Sequence, residues 1–147
     1  MIQKIKNIIT EQSLFTSGKK ILLAISGGID SVCLFYALRE LNYDIELAHC
    51  NFKLRGKESD EDEIFIRDLA KKFSVKLHLK SFNIQNSFKD DKRSVQMIAR
   101  DLRYDWFLEI FENNLYDSIV TAHHIDDNLE TFFINLIRGT GVKGLSG

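Results

Sequence analysis

Six consecutive residues, Ser26-Gly27-Gly28-Ile29-Asp30-Ser31, carry the densest chemistry in the chain. Paired glycines let a backbone adopt positive φ and approach a ligand closely, and the two serines add hydroxyl donors. Between a strand and a helix, consecutive N–H groups and the helix dipole make such a loop a cradle for an anion. It is not a Walker loop, because no G-x-x-x-x-G-K-[ST] match exists and no lysine stands at the helix start. Asp30 narrows the ligand. A carboxylate beside phosphate repels it unless a cation lies between them, so Asp30 implies Mg²⁺ bridging to phosphate oxygens. The plainer alternative is an ordinary turn in which Ser31 caps the helix and Asp30 complements its dipole. The complete hexapeptide in a strand-to-helix context favours phosphate.

Two further groups invite chemistry. Thr121, His123, His124, Asp126, Asp127, Glu130 and Thr131 fall within one short stretch. On a helix, Asp126 and Glu130 share one face and His123 and Asp127 nearly another. A helix N-terminus with acidic capping residues would explain the same letters without chemistry. Zinc fits poorly, because adjacent histidines point to different faces and H-E-x-x-H is missing. Arg100 and Arg103 are three residues apart and share a face, where they could meet phosphate or form a solvated network with Asp101, Asp105 and Glu109. Trp106 and Phe107 read as core, and His78 as structural. Residues 139–144 fit G-x-G-x-x-G literally, but they follow a helical pattern and precede none, so a dinucleotide-binding oxidoreductase is rejected. A loop near bound nucleotide, with Lys143 meeting nucleic-acid phosphate, is the better reading of that segment.

The elements that must position these residues alternate. Ile2, Ile5, Ile8 and Ile9 recur at helix spacing, 20–25 is a buried-strand pattern, and 31–41 returns to helix through Leu34, Leu38 and Leu41. Strand 45–49, a helix carrying Ile66, Leu69 and Phe73, and strand 75–79 follow. Ser59 with Asp62 resembles a capping box for that helix. A polar connection at 81–93 leads to a long helix at 95–111, a strand at 118–122 and a helix predicted over 126–138 with Leu129, Phe133, Leu136 and Ile137 inward. Strands separated by helices require crossovers, so the expected fold is α/β, a doubly wound, mostly parallel sheet flanked by helices. Ligands of such sheets sit beyond the carboxyl ends of the strands, where the loops after residues 25, 49, 79 and 122 converge.

Length and composition agree with a single domain: 147 residues, 44% hydrophobic and 28% charged. No apolar run suits a membrane helix or a secretory signal, which points to the cytoplasm. Cys33 and Cys50 form no C-x-x-C pair, which excludes a disulfide framework and a four-thiolate cluster within this chain. A net charge of -1 gives no global basic excess for holding nucleic acid, and proline is absent.

S-G-G-x-D-S after the first strand resembles the pyrophosphate (PP) loop of the N-type ATP pyrophosphatases, which cleave ATP to AMP and pyrophosphate while adenylating a substrate oxygen. With His49-Cys50-Asn51-Phe52, Leu54-Arg55-Gly56, Glu58-Ser59, the Arg100 and Arg103 helix, the 121–131 stretch and the glycine-containing segment from Arg138 to Leu145, the chain resembles the tRNA(Ile)-lysidine synthetase family from about Ile21 to Gly147. The resemblance implies a PP-loop ATP-binding catalytic domain spanning 1–147, a fragment without the family's C-terminal tRNA-gripping domains. It implies adenylation by ATP of the wobble cytidine in the CAU anticodon of a minor isoleucine tRNA. Free L-lysine then displaces AMP to form lysidine. By the same resemblance, Ser26, Gly27, Gly28, Ile29, Asp30 and Ser31 hold pyrophosphate, and Asp30 with Asp127, or Asp126 in its place, holds Mg²⁺. Arg103, and Arg100 beside it, contact ATP phosphates, His123 neighbours the phosphates or the reacting oxygen, and Glu130 holds the lysine ammonium. A homodimer is compatible with the resemblance. A tRNA thiolation enzyme or an amidotransferase-type synthetase of the same loop class is the nearest alternative, and a non-catalytic ATP-binding module the more distant one.

Overall fold

A computed structural model describes residues 1–16, 18–124 and 132–137, and gives the backbone alone for residues 87, 123, 124 and 132–137. The element order is α1 (Ile2–Glu11), β1 (Lys20–Ala24), α2 (Ile29–Glu40), β2 (Asp44–Asn51), α3 (Lys57–Lys72), β3 (Leu77–Ser81), α4 (Ile84–Ser87), α5 (Val95–Asn114), β4 (Ser118–His124) and β5 (Phe132–Ile137). The strands form one sheet in the order β3-β2-β1-β4-β5. β1 pairs in parallel with β2 and β4, and β2 in parallel with β3, whereas β5 runs antiparallel to β4.

Both faces of the sheet are covered, which follows from the alternation of side chains along β1. Ile21 and Leu23 join Ile5, Ile9, Leu34, Phe35, Leu38 and Ile66 in a core under α1, α2 and α3. Leu22, between them, faces the other way and packs with Ala48, Ile119 and the α5 residues Trp106, Phe107 and Ile110. The doubly wound, mostly parallel arrangement expected from the sequence is therefore present, with Trp106 and Phe107 in the core as read. Because the chain leaves β1 toward β2 on one side and β4 on the other, the carboxyl end of β1 is the switch point where a crevice opens.

Three local expectations differ. The helix predicted over 126–138 is replaced, at 132–137, by β5, whose register sets Ile137 opposite Ile119 and Phe132 opposite His124. Phe-Phe-Ile-Asn-Leu-Ile is a short apolar run rich in strand-forming residues, and its periodicity alone does not separate strand from helix. The remainder of that segment lies outside the described residues. The capping box does not form. α3 begins at Lys57, its N-cap is Gly56 at φ +55, and no side chain caps it. Ser59 Oγ instead accepts the Arg55 N–H at 3.1 Å, and Asp62 pairs with Arg55. Finally, the polar connection after β3 contains the short α4, anchored by buried Ile84 against Phe52, Ile98 and Ala99.

Candidate nucleotide site

The loop 26–31 folds around its own serines. The Ser31 hydroxyl donates to the Gly28 carbonyl at 2.9 Å and lies 3.1 Å from Ser26 Oγ, while the backbone N–H groups of Ser26 and Gly28 donate to Ser31 Oγ and Ser26 Oγ, each at 3.2 Å. Gly27 holds φ +93, a conformation that side chains rarely tolerate. The N-cap of α2 is Gly28 and no side chain caps the helix, so Ser31 is not the capping residue that the plainer sequence reading required. The positive end of a 12-residue helix is thereby left for an anion, and Asp30 stands in its first turn.

A cavity of about 260 Å³ opens beside this loop at the carboxyl ends of β1, β2 and β4. Its floor is a row of small residues, Ala48, Ala24 and Thr121, adjacent in register across three strands. Tyr104 and Phe107 of α5 form an apolar wall, and Phe52 lines the mouth. Arg103 lines the cavity, its guanidinium 5.3 Å from the centre of the Phe52 ring, which in turn stacks on Phe82 at 5.2 Å. Arg100 lies over Tyr104 at 5.4 Å and is not part of the lining. The two arginines share a helix but not a site. Two of the acidic residues that could have balanced them take other partners, Asp101 with Arg93 and Glu109 with Lys80.

Sequence reading gave His49, Asn51 and Arg55 no individual role and Asp62 only a helix-capping one, and the structure gathers all four at the cavity. His49 is 4% exposed, and its Nδ1 lies 2.7 Å from the Ile25 carbonyl, one residue before the loop. Burial lowers its pKa, so the ring is neutral near pH 7, Nδ1 carries the proton, and Nε2 is a buried acceptor with no partner. Asn51 donates to Asp60 at 3.0 Å and Glu63 at 2.8 Å and accepts the Lys53 N–H, which pins the loop after β2 to α3. These hydrogen bonds hold both carboxyl groups below their ordinary range. Asp62 bonds Arg55 at 2.7 Å and packs on Gly27. The His49-to-Phe52 and Leu54-Arg55-Gly56 blocks were visible as signals, but which partner each side chain takes was not.

Thr121 Oγ1 is likewise buried with no hydrogen-bond partner. Thr121→Val keeps the shape and removes an unpaired hydroxyl, so it is expected to raise the stability of the ligand-free chain by about 1 kcal/mol. An unchanged or lower midpoint in urea unfolding would contradict that. Burial pushes the Cys50 thiol up to about 12, consistent with a structural cysteine, and Cys33 is also free.

Of the expected site residues, Ser26, Gly27, Gly28, Ile29, Asp30 and Ser31 form one loop at the start of α2, and of these Ser26 and Ser31 line the cavity together with Arg103. Asp126, Asp127, Glu130 and Lys143 lie outside the described residues, and for His123 only its backbone place in β4 is given. Among the described residues no group of three His, Cys, Asp or Glu side chains could by itself hold a metal ion. No described helix is long and apolar enough to cross a membrane.

Curated relatives named tRNA(Ile)-lysidine synthase include proteins from Bacteroides thetaiotaomicron, 46% identical over 99% of this chain, and Porphyromonas gingivalis, 43% identical over all of it. A third, from Chlorobaculum tepidum, is 41% identical over 92% of the chain. This chain covers 34%, 33% and 42% of those proteins, so it spans about a third of the length of the first two. Among solved structures, the NH3-dependent NAD synthetase from Campylobacter jejuni in complex with the nitrate ion superposes with a TM-score of 0.54 at 17% identity, covering 80% of this chain and 53% of that one, a likeness of fold alone. The PP-loop domain family, whose members use ATP, matches residues 1–147 from end to end, and the chain belongs to it.

Proposed function

We propose that this chain is the ATP-binding catalytic domain of an enzyme that makes lysidine at the wobble cytidine of a CAU-anticodon isoleucine tRNA. The observation that carries the reading is the match, over the whole chain, to relatives named for that activity, with the PP loop and Arg103 facing one cavity of nucleotide-binding character. The chemistry explains the residue types. A pyrimidine C2 oxygen is a poor leaving group until it carries AMP, so it attacks the α-phosphorus and pyrophosphate departs. The amine of L-lysine then attacks C2, and AMP leaves with the oxygen. Lysine's amine, with a pKa of about 10.4 in water, must first lose a proton.

In this reading the uncapped start of α2 and the loop amides receive the departing pyrophosphate, Arg103 neutralises charge from the opposite side, and the apolar wall keeps water from the adenylated base. Mg²⁺ fits the donor set. Asp30 offers one carboxylate at the cradle, and Asp127 is its proposed partner. Mg²⁺ is commonly held by one or two carboxylates completed by substrate phosphates and water, and it would offset charge on the triphosphate. Glu130 holding the lysine ammonium, His123 near the phosphates, a homodimer, further tRNA-gripping domains and a cytoplasmic setting belong to the same proposal.

The test is AMP release from α-labelled ATP with Mg²⁺, lysine and the CAU-anticodon tRNA, each omitted in turn. AMP is expected only from the complete mixture, and Asp30→Asn is expected to lower its rate by about 100-fold or more. ATP binding without AMP release, both here and in a longer chain supplied with flanking domains, would instead favour a non-catalytic nucleotide-binding module.

A further inference from the structure

The loop 26–31 does not stand free. At Gly27, a Cβ would meet Asp62 Cβ, Cγ and Oδ1, each at 3.1 Å, so the Asp62 side chain lies directly against the backbone of the cradle. A carboxylate there opposes a polyphosphate arriving at the same amides. Its counter-charge is Arg55, whose Nη2 is 2.7 Å from Asp62 Oδ2, with Glu58 Oε2 a further 3.8 Å contact of the same guanidinium. Both Arg55 and Asp62 line the cavity. Apart from Arg103, Arg55 is the cationic side chain of the described lining, and its side chain is 63% exposed against 31% for Asp62, so the arginine is the partner able to move. Its backbone is fixed by the Ser59 hydroxyl and followed by Gly56 in the left-handed region, which holds the base of the side chain at the cavity rim.

We infer that Arg55 is a phosphate-binding residue of this site, parked on Asp62 when no nucleotide is bound and transferred to the polyphosphate when one arrives. The inference rests on the reading of the cavity as the ATP site. A guanidinium one carboxylate away from the cradle can exchange that carboxylate for phosphate, because both accept a bidentate pair of N–H donors. Asp62 then acts against binding twice, by repelling the ligand and by competing for the arginine. The two residues should therefore have opposite effects on affinity although they form a single ion pair, which a purely structural salt bridge would not produce.

The experiment is calorimetric titration of the chain with ATP and, separately, with inorganic tripolyphosphate, for wild type, Arg55→Gln, Arg55→Lys, Asp62→Asn and the double variant. Folding of each is checked by circular dichroism. Arg55→Gln is expected to weaken both ligands about tenfold, with Arg55→Lys recovering part of the loss. Asp62→Asn is expected to tighten both about threefold or more in the wild-type background and less in the Arg55→Gln background. Weaker binding in Asp62→Asn, or unchanged binding in Arg55→Gln, would overturn the inference while leaving the nucleotide site intact. Failure of wild type to bind either ligand would remove the nucleotide-site reading itself and this inference with it.

Discussion

Glu46→Ala is expected to cost about 3 kcal/mol of folding stability at neutral pH, although the residue is not part of the cavity lining. Glu46 sits on β2 at 9% exposure, on the same face as the α5 core. Lys20 Nζ is 2.7 Å from one carboxylate oxygen; the other accepts the Tyr116 hydroxyl and lies 3.2 Å from His78 Nε2 and 3.6 Å from Lys76 Nζ. Burial pushes the Glu46 carboxyl up, but hydrogen bonds from Lys20, Tyr116 and His78 outweigh it and bring the pKa down to about 2. Burial, together with the same carboxylate, raises the Tyr116 phenol. Removing the glutamate strands three polar partners at once.

The pH dependence follows in sign. Because the folded pKa lies below the unfolded value of 4.5, the stabilisation is complete above about 4.5 and fades as pH falls toward 2. Urea unfolding at pH 7 and at pH 3 should show the gap between wild type and Glu46→Ala shrinking in acid. Glu46→Gln, which keeps the shape and part of the hydrogen bonding, should fall between them. A gap that is the same at both pH values would show that the charge contributes nothing.

Gly27→Ala is expected to lower ATP affinity at least about tenfold and to cost about 1–2 kcal/mol of stability. Two terms combine at this position: φ +93, which disfavours any Cβ, and the 3.1 Å approach of Asp62, which cannot yield freely while Arg55 holds it. Gly18 is the control. It has φ +80 with nothing within 4 Å, so Gly18→Ala carries the backbone strain alone and should leave ATP binding unchanged. Equal affinities for the two variants would contradict the claim that Gly27 is a point of contact and not merely of strain.

What the sequence made legible was what short-range pattern encodes. Runs such as 20–25 and 45–49 announce the buried strands found at Lys20–Ala24 and Asp44–Asn51, the intervening helices demand parallel crossovers, and adjacent glycines between them locate the cradle. Identical local patterns also misled. Ser59 and Asp62 have capping-box spacing, yet Gly56 starts the helix earlier and an arginine three residues before Glu58 claims the aspartate. At 132–137 the apolar letters satisfy both periods, and pairing with β4 decided between them. The His49 bond to Ile25 and the Asn51 bonds to α3 join residues whose partners no local window contains. Arg100 and Arg103, read from their spacing as neighbours on one face, are each steered by a different aromatic ring.

The strand order has a consequence for how the chain comes into being. β1 finds β2 within the first 51 residues, so the pyrophosphate loop and its α2 helix can form early as an N-terminal unit. The other neighbour of β1 is β4, and the bond from the Lys20 N–H to Asp117 that starts this pairing spans 97 residues. On a ribosome, the cradle therefore emerges long before Thr121 completes its floor and α5 brings Arg103 to its wall. Until β4 docks, one flank of the central strand is open, and grip on a ligand from both sides is among the last properties the nascent domain acquires.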